Sequence, residues 1–133
     1  MINITHTIIP VDIYRHLRVA SCLSAKLHEA AELGLKNSLH SVLLRDDAGN
    51  ALGMGRVIGD GGCFCQVVDI CVLPEWQGRG LGKIIMEDII AYIATLPESC
   101  YISLLADGEA YRLYEKYGFK DTLPLSRGMF VKR

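Results

Sequence analysis

Excess charge of either sign is missing from this chain: 14 Lys and Arg stand against 15 Asp and Glu, a formal net of −1. That balance gives no electrostatic footing for nucleic acid or for a membrane surface, and neither is expected as a partner. Also missing is an uninterrupted apolar run of membrane-spanning length. Asp or Glu breaks every long apolar window, and the first residues, with His6, Pro10 and Asp12, do not follow a signal-peptide pattern. The expectation is a cytoplasmic protein. Cysteine pairs at zinc-site spacing are absent as well. The five cysteines (Cys22, Cys63, Cys65, Cys71, Cys100) are odd in number, and Cys63-Phe64-Cys65 has neither a second pair nor a nearby His, so it reads as small apolar strand residues. No metal is expected, and unpaired thiols suit a reducing compartment. Linkers, repeats and low-complexity segments are missing too, so the 133 residues read as one domain, 1–133. Half-hydrophobic composition with 22% charged residues is that of a globular chain able to bury a core without staples.

What is present is organised around residues 67–93, VVDICVLPEWQGRGLGKIIMEDIIAYI. The pattern predicts a buried strand over 67–72, a turn led by Leu73-Pro74, a glycine-studded loop over 77–82, and a helix with no breaker before Pro97. A helix that opens straight from glycines has first-turn N–H groups without intrahelical partners, and with the positive end of the macrodipole they attract an anion. The glycine spacing narrows the ligand. A Walker A loop needs Ser or Thr after its Lys, whereas Ile84 follows Lys83. A dinucleotide fingerprint needs a following strand and acidic residue at a distance this stretch does not provide.

Gln77, Gly80 and Gly82 instead fill the pattern Q/R-x-x-G-x-G/A behind an apolar strand and Val72-Leu73-Pro74. This resembles the acetyl-CoA-binding motif of the GNAT superfamily of N-acetyltransferases. The resemblance implies that the loop (Gln77, Gly78, Arg79, Gly80, Leu81, Gly82, Lys83) holds the CoA pyrophosphate and that Cys71 and Val72 lend backbone groups to the pantetheine arm and thioester. The competing reading is a glycine-rich helix entry with no ligand. Two glycines in a first turn cost on the order of 1 kcal/mol each against alanine, which argues for a ligand.

The remaining pattern predicts a strand over 4–9, a helix from Pro10 and Asp12, a second from near Ser24 to Gly34, and a meander of strands over 38–45, 51–59 and 63–72. The helix over 80–96 is expected to turn Leu81, Ile85, Ile89, Tyr92, Ile93 and Leu96 to the sheet and Lys83, Glu87 and Asp88 away from it. A fully buried strand over 100–105, parallel to residues 67–72, a helix over 107–116 closed by Gly118, and a hairpin from 119–123 and 128–131 complete the chain. The fold class is α/β: one domain with a mixed, mostly antiparallel twisted sheet flanked by helices. That order coincides with the GNAT topology.

A second segment, Ala110-Tyr111-Arg112-Leu113-Tyr114-Glu115-Lys116-Tyr117-Gly118-Phe119, is similar to the GNAT A-x-x-L-Y-E-K-x-G-F segment, which implies that Tyr114 is a general acid beside the CoA sulfur. The implied reaction makes three demands. A primary amine must lose a proton before it attacks the thioester. The carbonyl oxygen needs a preorganised donor as it gains charge, and the N–H of Cys71 or Val72 suits. The departing thiolate is helped by an acid such as Tyr114. The first demand has no obvious answer, because the family's Glu or His base position falls on Gln66, which can only orient a water. Asp69, the strand's one carboxylate, sits where a β-bulge opens the family's sheet and is the candidate base through water, against a structural role. Asp107 is expected as a helix cap, and Arg56, Arg79, Lys83 and Arg127 as phosphate or substrate contacts. His6, His16, His28 and His40 are scattered and share no motif. The reading is direct transfer from acetyl-CoA to a small-molecule amine, with no acetyl-cysteine intermediate. A protein N-terminal or lysine acetyltransferase and a non-catalytic acyl-CoA sensor remain as alternatives, and a homodimer stays open.

Overall fold

Alternating apolar residues in residues 40–72 make three strands that hydrogen-bond in sequence, and everything else packs against them. A computed structural model describes residues 1–133. The order is β1 (Asn3–Thr5), α1 (Val11–Ala20), α2 (His28–Leu35), β2 (His40–Arg45), β3 (Ala51–Gly59), β4 (Phe64–Val72), a 3-10 turn (Pro74–Trp76), α3 (Leu81–Ile93), β5 (Tyr101–Leu104) and α4 (Tyr111–Glu115). The sheet runs β1-β2-β3-β4-β5, antiparallel except for β4 with β5. No helix is long and apolar enough to cross a membrane.

One core lies on each face. Under α1 and α2 are Tyr14, Leu17, Ala31, Leu35, Leu43, Met54, Cys71 and Leu73. Under α3 are Val42, Leu44, Leu52, Val57, Cys65, Val67, Leu81, Ile85 and Ile89. In α3 each fully buried Leu or Ile contributes roughly 1.5–3 kcal/mol. The helix lies directly on β3 at Gly55, where a Cβ would sit 2.9 Å from Ile85 Cγ2 and from Ile89 Cδ1.

Strand β4 changes faces partway along. Cys65 and Val67 belong to the core under α3, yet Cys71, of the same parity, belongs to the core under α1 and α2. Strict alternation forbids this, and the extra residue is a bulge between Arg56↔Val68 and Met54↔Cys71, with Asp69 at φ 62°. The bulge expected from the resemblance is there, and it turns Asp69 toward α1.

Several sequence expectations need correction. β5 pairs in parallel as expected, but with the beginning of β4, Phe64↔Tyr101 to Val67↔Leu104, and it is only partly buried as the sheet's edge. The second half of β4 therefore has no neighbour on that side. The strand expected over 4–9 is short, with Ile9 turned into the core under α1. α2 and α4 are shorter than their patterns, and Ala110, not Asp107, stands at the α4 N-cap with no side-chain bond. The C-terminal hairpin does not form. Phe119 turns inward against the Tyr114 ring, whereas Met129, Phe130 and Val131 are exposed and make no backbone hydrogen bonds. A two-stranded ribbon without a covered face is marginal at best, which is why an apolar pattern alone did not make one.

Candidate active site

The loop between β4 and α3 leaves a run of donors without protein acceptors. Gln77 N–H is taken by the Pro74 carbonyl and Ile84 N–H by that of Gly80, while the amides of residues 78–83 in between donate to nothing in the protein. Gly78 and Gly80 have positive φ, 77° and 84°, which L-residues reach only with strain. A Cβ on either would meet no atom within 4 Å, so the space above them is open. Arg79 stacks its guanidinium 4.6 Å above the Trp76 ring, and Lys83 pairs loosely with Glu87 at 3.9 Å. With the positive end of α3 behind it, this is a cradle of donors open to an anion. Gly82 is also close-packed: its Cβ position lies 3.3 Å from Leu113 Cδ2 on α4.

Beside the loop, the gap between the second half of β4 and β5 opens a cleft of about 690 Å³. Tyr14, Gln66, Asp69, Gln77, Asp107 and Tyr114 all line it. Leu73 N–H donates to the Leu52 carbonyl on β3. By strand alternation Cys71 N–H also faces β3, and Val72 presents its backbone to the gap. The Val72 carbonyl there accepts from Gln77 Nε2 at 3.0 Å. Of the two amides expected to face the thioester, Val72 is thus the one free of the sheet.

Asp69 is surrounded. Its Oδ1 accepts from Tyr14 Oη at 2.9 Å and from Arg18 Nη1, and its Oδ2 accepts from Arg56 Nε at 2.8 Å. Its side chain is 4% exposed. Three donors fill most of the roughly four lone-pair positions of a carboxylate, so little of Asp69 is left to hold a catalytic water. The structural role weighed against the base role fits this geometry, although the partners are side chains and not the backbone. Arg56, expected as a phosphate or substrate contact, is instead buried between Asp69, the Gly34 carbonyl (3.3 Å) and Ser38 Oγ (2.9 Å). Tyr14 and Arg18 were not singled out in the sequence, yet Tyr14, Leu17 and Arg18 share the buried face of α1. An arginine at that i, i+4 spacing on an apolar face is the signal that points to a buried carboxylate partner.

Tyr114 is buried on α4 and its hydroxyl has no protein hydrogen bond, although the ring lines the cleft. Burial raises its pKa, and the nearby Asp107 carboxylate adds to the rise, so at neutral pH the phenol keeps its proton. Burial likewise pushes the Cys71 thiol up to about 11, which suits a packed apolar residue and not a nucleophile. Gln66 lines the cleft from β4, opposite Ser103 of β5. The histidines are less scattered than their positions suggest: His6 and His40 converge on Asp88. Asp88, expected to face away from the sheet, is only 15% exposed.

Residues 36–121 match the model of a family described as an acetyltransferase (GNAT) domain. The uncharacterized N-acetyltransferase ycf52 of Pyropia yezoensis is 31% identical over 102 residues, 74% of this chain and 58% of that protein. The serotonin N-acetyltransferase 2, chloroplastic, of Oryza sativa subsp. japonica is 34% identical over 86 residues, 65% and 42% of the two. The chain thus spans only about half the length of the curated relatives it matches. A crystal structure of protein SA2161 of meticillin-resistant Staphylococcus aureus, described as a probable acetyltransferase, is 47% identical over 100% of both chains with a TM-score of 0.94. The structure of AAC(6')-Iy in complex with a CoA-S-monomethyl-acetylneamine bisubstrate analogue is alike in fold, at 20% identity and a TM-score of 0.70.

Proposed function

Because the chain belongs to the GNAT acetyltransferase family, we propose that it transfers the acetyl group of acetyl-CoA to a primary amine by direct attack in a ternary complex. The observation that carries this is the unpartnered run of amides at residues 78–83, which adjoins a cleft whose far wall holds Tyr114. The loop binds the pyrophosphate through those amides, and Arg79 and Lys83 add charge beside it. The pantetheine arm then lies in the gap between β4 and β5, along the free side of Val72.

Each residue has one task. Val72 N–H donates to the thioester oxygen as negative charge develops there. The amine nitrogen attacks the acetyl carbon, and its proton leaves through a water oriented by the Gln66 carboxamide, since Asp69 is committed to Tyr14, Arg18 and Arg56. The carbon–sulfur bond breaks as Tyr114 gives its proton to the departing thiolate. Asp69 holds α1, β3 and β4 around the cleft.

The acceptor in this reading is a small-molecule amine. Its support is a cleft walled on several sides by α1, β4 and α4, and kinship with a protein named for serotonin. Five free cysteines, with Cys65 and Cys100 Sγ only 3.7 Å apart, favour a reducing compartment such as the cytoplasm. Titration calorimetry with acetyl-CoA, followed by thiol release across a panel of free amines and peptides, tests the whole. An acyl-CoA sensor binds without turnover, and a protein acetyltransferase releases thiol only with peptides.

A further inference from the structure

Away from the cleft, three potential metal ligands from remote parts of the chain converge. His6 follows β1, His40 opens β2 and Asp88 lies midway along α3. Both imidazoles present the same nitrogen: His6 Nε2 lies 2.6 Å from Asp88 Oδ2, and His40 Nε2 lies 2.6 Å from Oδ1. One ligand atom from each residue can be chosen so that all lie within 4.8 Å of one another. We propose that His6, His40 and Asp88 form a site for a divalent transition-metal ion, Zn²⁺ in the first instance, distinct from the acetyl-transfer cleft.

The donor set is that of zinc, two imidazole nitrogens and a carboxylate oxygen. A tetrahedral ion at about 2.0–2.2 Å from each donor holds its ligand atoms roughly 3.3–3.6 Å apart, so the two nitrogen–oxygen contacts of 2.6 Å open and the imidazole nitrogens settle around the ion by side-chain torsions. Each imidazole then gives the ion its Nε2 lone pair and carries its remaining proton on Nδ1. Two of the ligands are already held. The His40 ring stacks on Tyr92 at 4.5 Å with an interplanar angle of 11°, and Asp88 rides on a helix anchored by Ile85 and Ile89. His6 is half exposed, 51% at the side chain, which leaves an entry path and room for water as a fourth ligand.

The ion would act as a clamp. It ties the segment after β1 and the start of β2 to α3, two helical turns, about 10 Å, beyond the helix end that binds phosphate. Hydrogen bonds between two histidines and an aspartate are the competing account of the same contacts, and they require no ion.

The test uses the full chain stripped with chelator and titrated with ZnCl2 in the absence of acetyl-CoA, so its outcome does not depend on the acetyltransferase reading. Bound zinc is counted after dialysis, and the rise in Tm is measured against each protein's own metal-free value. The expected result is one equivalent bound and a Tm that rises with zinc. His6→Ala, at the exposed ligand, is expected to fold normally and to lose more than about tenfold in affinity, at least the loss typical of an outer-shell partner. Asp88→Asn should lose as much. Cobalt(II) substitution guards against the free thiols, because a nitrogen and oxygen site lacks the near-ultraviolet thiolate band. Absence of stoichiometric binding, unchanged affinity in His6→Ala, or a thiolate band that disappears in Cys65→Ser or Cys100→Ser would each overturn the site.

Discussion

Arg56 on β3 donates from Nε to Asp69 Oδ2 on β4 at 2.8 Å, across the one place where the two strands lose register. The bulge and the ion pair depend on each other. The extra residue turns the carboxylate toward α1, and the carboxylate in turn sets two buried guanidinium groups and a phenol around the head of the cleft.

Removing that charge is therefore expected to damage the fold before the chemistry. Asp69→Asn leaves Arg18 and Arg56 buried without a counter-charge, a loss of about 3–5 kcal/mol, and Tm should fall by on the order of 10 °C. Thermal melts check this. A variant as stable as wild type, whose rate deficit closes as rising pH frees the amine, would instead restore Asp69 as the base.

At the loop, Gly80→Val forces a β-branched residue to φ 84° and puts bulk over the open amides. Acetyl-CoA affinity should fall by more than tenfold for a stability cost of about 1–2 kcal/mol. Gly82→Ala meets only the flexible end of Leu113 at 3.3 Å and should bind nearly as wild type. Calorimetry on both variants separates the roles, and unchanged affinity in Gly80→Val would remove the loop from substrate binding.

Tyr114→Phe keeps the ring that packs against Phe119 and deletes only the hydroxyl. Stability and acetyl-CoA affinity should hold while kcat drops about 10²-fold. The deficit should shrink with an acyl donor whose thiol has a lower pKa, since that thiolate needs less protonation to leave. Wild-type turnover, with chemistry rate-limiting, would return Tyr114 to the core.

Alkaline stability should report on Cys71. Its thiol is held up to about 11 in the folded protein against an ordinary value of 9.0. A group raised on folding contributes its full stability below the unfolded value and loses it as pH climbs through the folded one. Wild type should lose roughly 2–3 kcal/mol relative to Cys71→Ala between pH 9 and 11. Denaturant midpoints across that range test it, and parallel curves for the two proteins would contradict it.

How far the sequence reached follows the range of the forces involved. The strand, loop and helix over 67–93 are written in contiguous residues: apolar alternation, glycines where φ must be positive, and a 3.6-residue apolar stripe. The two motifs that led to the family lie in contiguous stretches as well, whereas the bulge at Asp69 was expected only from the resemblance. Alternation, glycine placement and the apolar stripe are local backbone preferences, legible without knowing what packs against them.

Tertiary structure decided what meets across distance. Arg18 and Asp69 stand 51 residues apart and His6 and Asp88 stand 82 apart, and only the folded sheet brings their polar atoms together. It also decided that β5 stops beside Val67, so that the rest of β4 faces a cleft, and that residues 128–131 stay unpaired despite an apolar pattern. The sequence alone determined the strand, loop and helix of residues 67–93 and the glycines that give the loop its positive φ. Burial and pairing depend on the partners that the fold supplies, and those set Asp69 among Tyr14, Arg18 and Arg56 and two histidines on one carboxylate.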